Sequence, residues 1–184
     1  MIQKVKKREK SRFFCYNGTM WNNYAAFYAQ ITKKFHNESA KKKLNVFNFF
    51  LTDLFYAAYP CLLLYVFFYK RSEFAKILLI PAVSFAVLSM IRKAVNWPRP
   101  YEKDDITPLI RKDTKGNSMP SRHVFSAVII AMAFFYLLPW LGIVLLILAA
   151  MSGCTRILGG VHYPWDVAAG YLCGICCGLL FFVL

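Results

Sequence analysis

Most of the chain's reactive side chains fall in three short polar stretches. The first runs from Arg92-Lys93 to Arg99-Pro100, and the second is Ser118-Met119-Pro120-Ser121-Arg122-His123. The third runs from Thr155-Arg156 through Gly159-Gly160 and His162-Tyr163-Pro164 to Asp166. Together they hold Arg92, Arg99, Arg122 and Arg156 and two of the three histidines. Guanidinium groups are planar donors matched to phosphate oxygens, and several on one face imply a dianion or more to hold. Ser121 stands where a helix begins, so its hydroxyl and the following backbone N–H groups form an anion cradle. Pro164 suits the first turn of a helix, which puts Asp166 in that helix's first turns. His162 and Asp166 are four residues apart, about one helical turn, so the carboxylate is within reach of an imidazole N–H. A histidine buttressed in this way keeps its other nitrogen free as a nucleophile. His123 is then available as general acid toward a leaving oxygen. One interfacial arginine is ordinarily a snorkelling anchor, and one histidine at a helix start a cap or surface group. Gathered on one face from three separate stretches, the same groups make a phosphoryl-handling site.

The elements that must gather them are membrane helices. Hydrophobic residues are 58% of the 184 and charged residues 17%, against about 45–50% and about 25% in soluble domains. These proportions exclude an ordinary soluble globule and a disordered chain. The 23 Lys and Arg against 9 Asp and Glu give a net charge of +14, suited to an anionic membrane surface. Apolar runs predict five spans near residues 46–69, 74–95, 123–138, 141–156 and 165–184, close to the roughly 17–25 residues that a crossing takes. The uncharged run 123–154 is too long for one helix and breaks at Leu138-Pro139-Trp140-Leu141-Gly142. It reads as a hairpin of two helices of about 16 residues, ~24 Å each. Trp97, Trp140 and Trp165 fall at span ends, where amphipathic rings are at home. Counting crossings puts the first stretch at the end of span two, the second at the start of span three and the third between spans four and five. All three therefore emerge on one side, and the expected fold is an all-α, multi-pass transmembrane helical bundle.

Residues 13–32 carry no charge but include Asn17, Asn22, Asn23 and Gln30, which are costly in hydrocarbon. They read as a helix lying in the interface, in preference to a sixth span. Residues 1–43 thus form a basic tail (Lys4, Lys6, Lys7, Arg8, Lys10, Arg12) and an interfacial segment, and residues 44–184 a membrane domain. The tail reads as an orientation signal, and with no nucleic-acid motif beside it no nucleic-acid partner is expected. No signal peptide is expected, because neither an apolar core nor a small-residue cleavage site follows the basic start. Cys61, Cys154, Cys173, Cys176 and Cys177 lie in apolar helix as small packing residues, without a second ligand cluster for a metal. Gly170, Gly174 and Gly178, at intervals of four, make a smooth stripe for close approach of another helix. His36, among lysines, reads as solvated.

The three stretches together resemble the tripartite signature of the type 2 phosphatidic acid phosphatase superfamily. Its pattern is Lys, six residues, Arg-Pro; then Pro-Ser-Gly-His; then Ser-Arg, five residues, His, three residues, Asp. Arg99-Pro100, Pro120-Ser121-Arg122-His123, and Arg156 through His162 to Asp166 match at these spacings, and the resemblance covers roughly residues 44–184. Three positions depart: Arg92 stands in the Lys register with Lys93 one step off, Arg122 replaces Gly, and Thr155 replaces Ser. The resemblance implies metal-independent, cofactor-free hydrolysis of a phosphate ester or anhydride in two steps. In it His162 becomes a phosphohistidine, Asp166 orients His162, and His123 protonates the leaving group and then activates water. Arg92 or Lys93, Arg99, Ser121, Arg122 (through its backbone N–H) and Arg156 would hold the phosphoryl oxygens.

A site at the interface favours a lipid phosphate, and polyprenyl (undecaprenyl) diphosphate, phosphatidic acid and phosphatidylglycerol phosphate all fit. The linker from Tyr101 to Asn117, with its mixed charges, reads as hydrated cover that could touch the headgroup. The other readings are a phosphotransferase of the same fold and a non-catalytic membrane scaffold with relic motifs. With five spans, Lys70, Arg71 and Lys76 lie opposite the candidate site, so the positive-inside rule argues for a cytoplasmic site. The family resemblance favours the extracytoplasmic face of a bacterial cell membrane, which is the expectation adopted. Oligomeric state is not legible.

Overall fold

The computed structural model describes residues 24–35, 37–104, 106–110, 112 and 114–184. The basic tail, the first part of the 13–32 segment, His36, Asp105, Arg111 and Asp113 lie outside the described residues. Among the described residues eight α-helices follow in order: α1 (Tyr24–Thr32), α2 (Glu38–Tyr69), α3 (Phe74–Val95), the short α4 (Pro100–Lys103), α5 (Arg122–Leu137), α6 (Pro139–Leu158), α7 (Pro164–Gly178) and the short α8 (Leu180–Val183). No strand occurs among the described residues.

The segments Glu38–Tyr69, Arg71–Lys103, Pro139–Leu158 and Pro164–Val183 are long and apolar enough to cross a membrane. α5, at 16 residues, is about 24 Å long at 1.5 Å per residue. It is the shortest of the five and the most enclosed, packing on α2, α3, α6, α7 and α8. Its buried face includes Val124, Phe125, Val128, Ile129, Met132 and Phe134. Phe68, Leu79, Ile147 and Leu172 point outward and exposed, a cost in water and none in lipid. The chain is a multi-pass membrane protein.

Local chemistry explains how these helices join. Pro139 at the first position of α6 ends α5 at Leu137, one residue from the expected hairpin. A Cβ on Gly142 would lie 2.2 Å from the Phe135 Cα, so only glycine permits that tight return. Pro81 inside α3 has no N–H and frees the carbonyl of Ile77, four residues back. The hydroxyl of Tyr59 on α2 donates to that carbonyl at 3.1 Å, as a hydrocarbon setting requires. The stripe on α7 meets α5: a Cβ on Gly170 would lie 2.5 Å from the Ser121 carbonyl oxygen, on Gly174 2.7 Å from Val128, and on Gly178 2.5 Å from Met132. Close contact at Gly170 seats the start of α5 against the start of α7, where the polar stretches meet.

The described part of α1 is nine residues, about 14 Å. Its Tyr24 and Tyr28 are buried and pack with Tyr163, Trp165, Trp97 and Ile106. It lies on the same end of the bundle as the three polar stretches.

Candidate active site

Each polar stretch sits at a helix end, and all lie at one end of the bundle. Arg92 closes α3, Arg99 caps α4, Ser121 caps α5, and Arg156 lies in the last turn of α6. His162 stands in the turn before α7, and Asp166 is the third residue of that helix. Arg92, Arg99, Ser121, Arg156, His162 and Asp166 are all buried.

His162 and Asp166 meet across a helix cap and not along a helical turn, as their spacing alone suggested. Asp166 Oδ2 accepts the Tyr163 backbone N–H at 3.1 Å, capping α7, and lies 3.5 Å from His162 Nδ1. The Ser118 hydroxyl donates to the same carboxylate oxygen and lies 3.3 Å from Nδ1. The imidazole is thus held from its Nδ1 side, and no described hydrogen bond occupies Nε2. Ser121 N–H donates to the Asp166 carbonyl at 2.8 Å, tying the second stretch to the third.

Around this pair the cationic groups converge. Arg99 donates from Nη1 to the Val161 carbonyl at 3.3 Å and from Nε to the Gly116 carbonyl at 3.1 Å. Arg156 donates from Nη2 to Thr52 Oγ1 at 3.1 Å, while its Nε and the hydroxyl of Ser121 are buried without a protein partner. Buried donors left unmatched are costly, and phosphoryl oxygens are the acceptors that would match them. His123 is partly buried at the start of α5, near enough to feel the charges of His162, Arg156 and Arg122. Thr155 keeps the hydroxyl of the family serine but turns it to Ser152 O at 2.8 Å and Asn48 Oδ1 at 3.1 Å.

The remaining expected phosphate ligands, Arg92, Lys93 and Arg122, line a cavity together with Arg99. Arg92 spends its guanidinium on the carbonyls of Asn117, Ser118 (3.3 Å) and Pro120. It therefore clamps the loop that presents Ser121. Lys93, on the next helical position, is exposed. Arg122 is exposed too, its guanidinium 5.6 Å from the Phe85 ring centre, which leaves only its backbone N–H for a cradle.

Two residues escaped the sequence. Ser118, the added partner of Asp166, lies three positions before Ser121 with no pattern to single it out. Lys112 comes from the linker, which is not simply hydrated cover. Ile110 N–H donates to the Gly159 carbonyl at 3.2 Å, and the Ser118 N–H donates to the Trp97 carbonyl at 2.8 Å. The linker is pinned on both sides of Lys112. Burial, with the neighbouring guanidiniums of Arg99, Arg156, Arg122 and Arg92, pulls its ammonium down to about 8.

The His162 imidazole is pushed down to about 4 by burial, against the opposing pull of Asp166. It is therefore neutral, and a competent nucleophile, well below the ordinary value near 6.5. Because the folded-state value is the lower one, this contribution to stability is fully present above pH about 6.5 and is lost as pH falls toward about 4. Nitrogen-15 NMR of imidazole-labelled protein in detergent should find His162 still neutral at pH about 5.5. A midpoint near the ordinary value contradicts the geometry.

Residues 73–184 match the family profile described as the PAP2 superfamily. Undecaprenyl-diphosphatase BcrC of Bacillus subtilis is 29% identical over 164 residues, covering 87% of this chain and 82% of that protein. Bacitracin transport permease protein BcrC of Bacillus licheniformis is 31% identical over 157 residues, covering 81% and 76%. Among solved structures, Aquifex aeolicus LpxE superposes with a TM-score of 0.69 at 22% identity, over 87% of this chain and 94% of that one. A transmembrane PAP2-type phosphatidylglycerolphosphate phosphatase from Bacillus subtilis superposes with a TM-score of 0.55 at 18% identity, over 86% and 92%. These two likenesses bear on the fold alone.

Proposed function

Because the chain belongs to the PAP2 superfamily, we propose that it is an integral-membrane lipid phosphatase acting through a phosphohistidine at His162. The observation that carries this reading is the His162 imidazole, held at Nδ1 by Asp166 and Ser118 with Nε2 unoccupied, amid buried donors that lack partners. His162 Nε2 attacks phosphorus, and the bond to the leaving oxygen breaks as His123 gives it a proton. Water, deprotonated by His123, then attacks the phosphohistidine and releases inorganic phosphate. Arg99, Arg156, Ser121 and the Arg122 backbone N–H hold the equatorial oxygens, where preorganised donors are worth most. Asp166 offsets the imidazolium charge of the intermediate. The cycle draws nucleophile, acid and charge stabilisation from this chain's own side chains, so activity is expected to survive chelators.

We take the substrate to be a polyprenyl diphosphate, in keeping with the name of the Bacillus subtilis relative, an undecaprenyl-diphosphatase. An apolar groove of about 230 Å³ supports a lipid of some kind: it starts at His123 and Arg122 and is walled by Phe55, Tyr56, Phe85 and Ile130. Phosphatidic acid and phosphatidylglycerol phosphate share the chemistry. Purified protein in neutral detergent, assayed for free phosphate on all three lipids with and without EDTA, should hydrolyse the diphosphate fastest. No release from any of them overturns the reading. Transfer of phosphate to an added lipid acceptor, without free phosphate, would instead favour a phosphotransferase. We place the site on the extracytoplasmic face, which a membrane-impermeant thiol reagent at Thr114→Cys would label in intact cells.

A further inference from the structure

Beside the candidate active site lies a second cavity, about 170 Å³, which shares Arg92, Arg99 and Arg122 with it but touches neither histidine nor Asp166. Lys93 and Lys115 complete its charged lining. Five cations therefore surround it, and among the described residues no carboxylate does. Glu102 is near in sequence but committed elsewhere: its Oε2 accepts the backbone N–H groups of Arg99 and Gly116, each at 2.8 Å.

The walls are fixed relative to one another. Gly116 has φ +64, and a Cβ there would come within 2.3 Å of Asn96 Oδ1, so the linker is seated tightly on the end of α3. The Arg92 contacts to the carbonyls of residues 117, 118 and 120 lock the same join. Lys93 from α3 and Lys115 from the linker are thus presented across one cavity by segments that cannot easily part. Like charges held around a space whose described lining holds no carboxylate repel one another and focus a positive potential there. An anion in the cavity relieves that repulsion. A single phosphoryl group at His162 has Ser121, Arg99 and Arg156 already, and does not need this lining.

We propose that this cavity is a second anion site, taking a phosphoryl group other than the one attacked. The inference rests on the phosphatase reading and extends it. The group has two possible sources with the same chemistry: the other phosphoryl of a diphosphate substrate, or the headgroup phosphate of a neighbouring anionic lipid.

The test is charge reversal at Lys115 and Lys93 singly (Lys115→Glu, Lys93→Glu), with Lys43→Glu on the exposed flank of α2 as a control of equal charge change. Lys115→Gln guards against misfolding. In neutral detergent, a substrate-borne source predicts that Lys115→Glu raises KM for a lipid diphosphate about tenfold, the size of a lost charge-assisted contact, with the matching monophosphate unaffected. A headgroup source predicts equal detergent kinetics, activation of wild-type protein when phosphatidylglycerol is added to zwitterionic vesicles, and loss of that activation in Lys115→Glu. Calorimetry with inorganic diphosphate reads the cavity without turnover, so absent hydrolysis counts against the phosphatase reading alone. Lys115→Glu protein that matches wild type in diphosphate binding, in both substrates and in both media overturns the proposal. So does an equal effect from Lys43→Glu.

Discussion

Replacing His162 with alanine should abolish turnover while leaving substrate binding within a few-fold of wild type. Removing a covalent nucleophile costs on the order of 10⁴–10⁶ in kcat, because no neighbour can substitute for the attacking nitrogen. Binding is expected to survive because Arg99, Arg156 and Ser121 are held by contacts that do not involve the imidazole. Arg99 is anchored on the carbonyls of Val161 and Gly116, Arg156 on Thr52, and Ser121 on the Asp166 carbonyl. His162 is itself buried, so alanine leaves a void beside a carboxylate, and His162→Gln serves as the better-filled companion. Stopped reactions quenched in alkali should show a phosphoenzyme in wild type and none in either variant. A folded variant that still releases phosphate at near-normal rates would end the assignment.

Asp166→Asn should lower kcat on the order of 10³–10⁴-fold with KM nearly unchanged, as when an orienting carboxylate loses its charge behind a catalytic histidine. The magnitude follows from three duties meeting at one oxygen. Oδ2 caps α7 through Tyr163 N–H, takes the Ser118 hydroxyl, and faces His162 Nδ1. The asparagine carbonyl can keep the first two, so the helix start survives and thermal stability should shift little. The charge that compensates the imidazolium is lost. Asp166→Ala removes the cap as well and should cost about 1 kcal/mol of stability besides, so comparing the two variants separates orientation from folding. Ser118→Ala, which deletes one hydroxyl contact to the carboxylate and leaves its charge in place, should cost only about tenfold. An Asn variant that retains more than about a tenth of wild-type kcat removes Asp166 from the mechanism.

The amino-acid sequence carried the helices and their common end. Apolar run lengths marked the four segments long and apolar enough to cross a membrane and the shorter apolar α5, and Pro139 and Gly142 marked the hairpin to within a residue or two, since proline and glycine act locally. The four-residue glycine interval announced a close helix contact, though not that Gly170 would abut Ser121. The relation of His162 to Asp166 was right in its partners and wrong in its geometry, because Pro164 starts the helix two residues after the histidine.

Where the long side chains went was another matter. Spacing put Arg92 in a phosphate register, yet its guanidinium reaches the carbonyls of the second polar stretch, 25 to 28 residues on. Those carbonyls exist as a target only once the linker has folded back over α3. Ser118 and Lys112 were hidden for the same reason: Ser118 matters through His162 and Asp166, 44 and 48 residues away, and Lys112 through Arg99, Arg156, Arg122 and Arg92, which come from all three polar stretches. Hydrophobic periodicity and local chemistry decide which face and which end of a helix a residue occupies. They are silent on which distant carbonyl, carboxylate or cation a flexible side chain will meet. That choice is made by packing, which only the assembled bundle supplies.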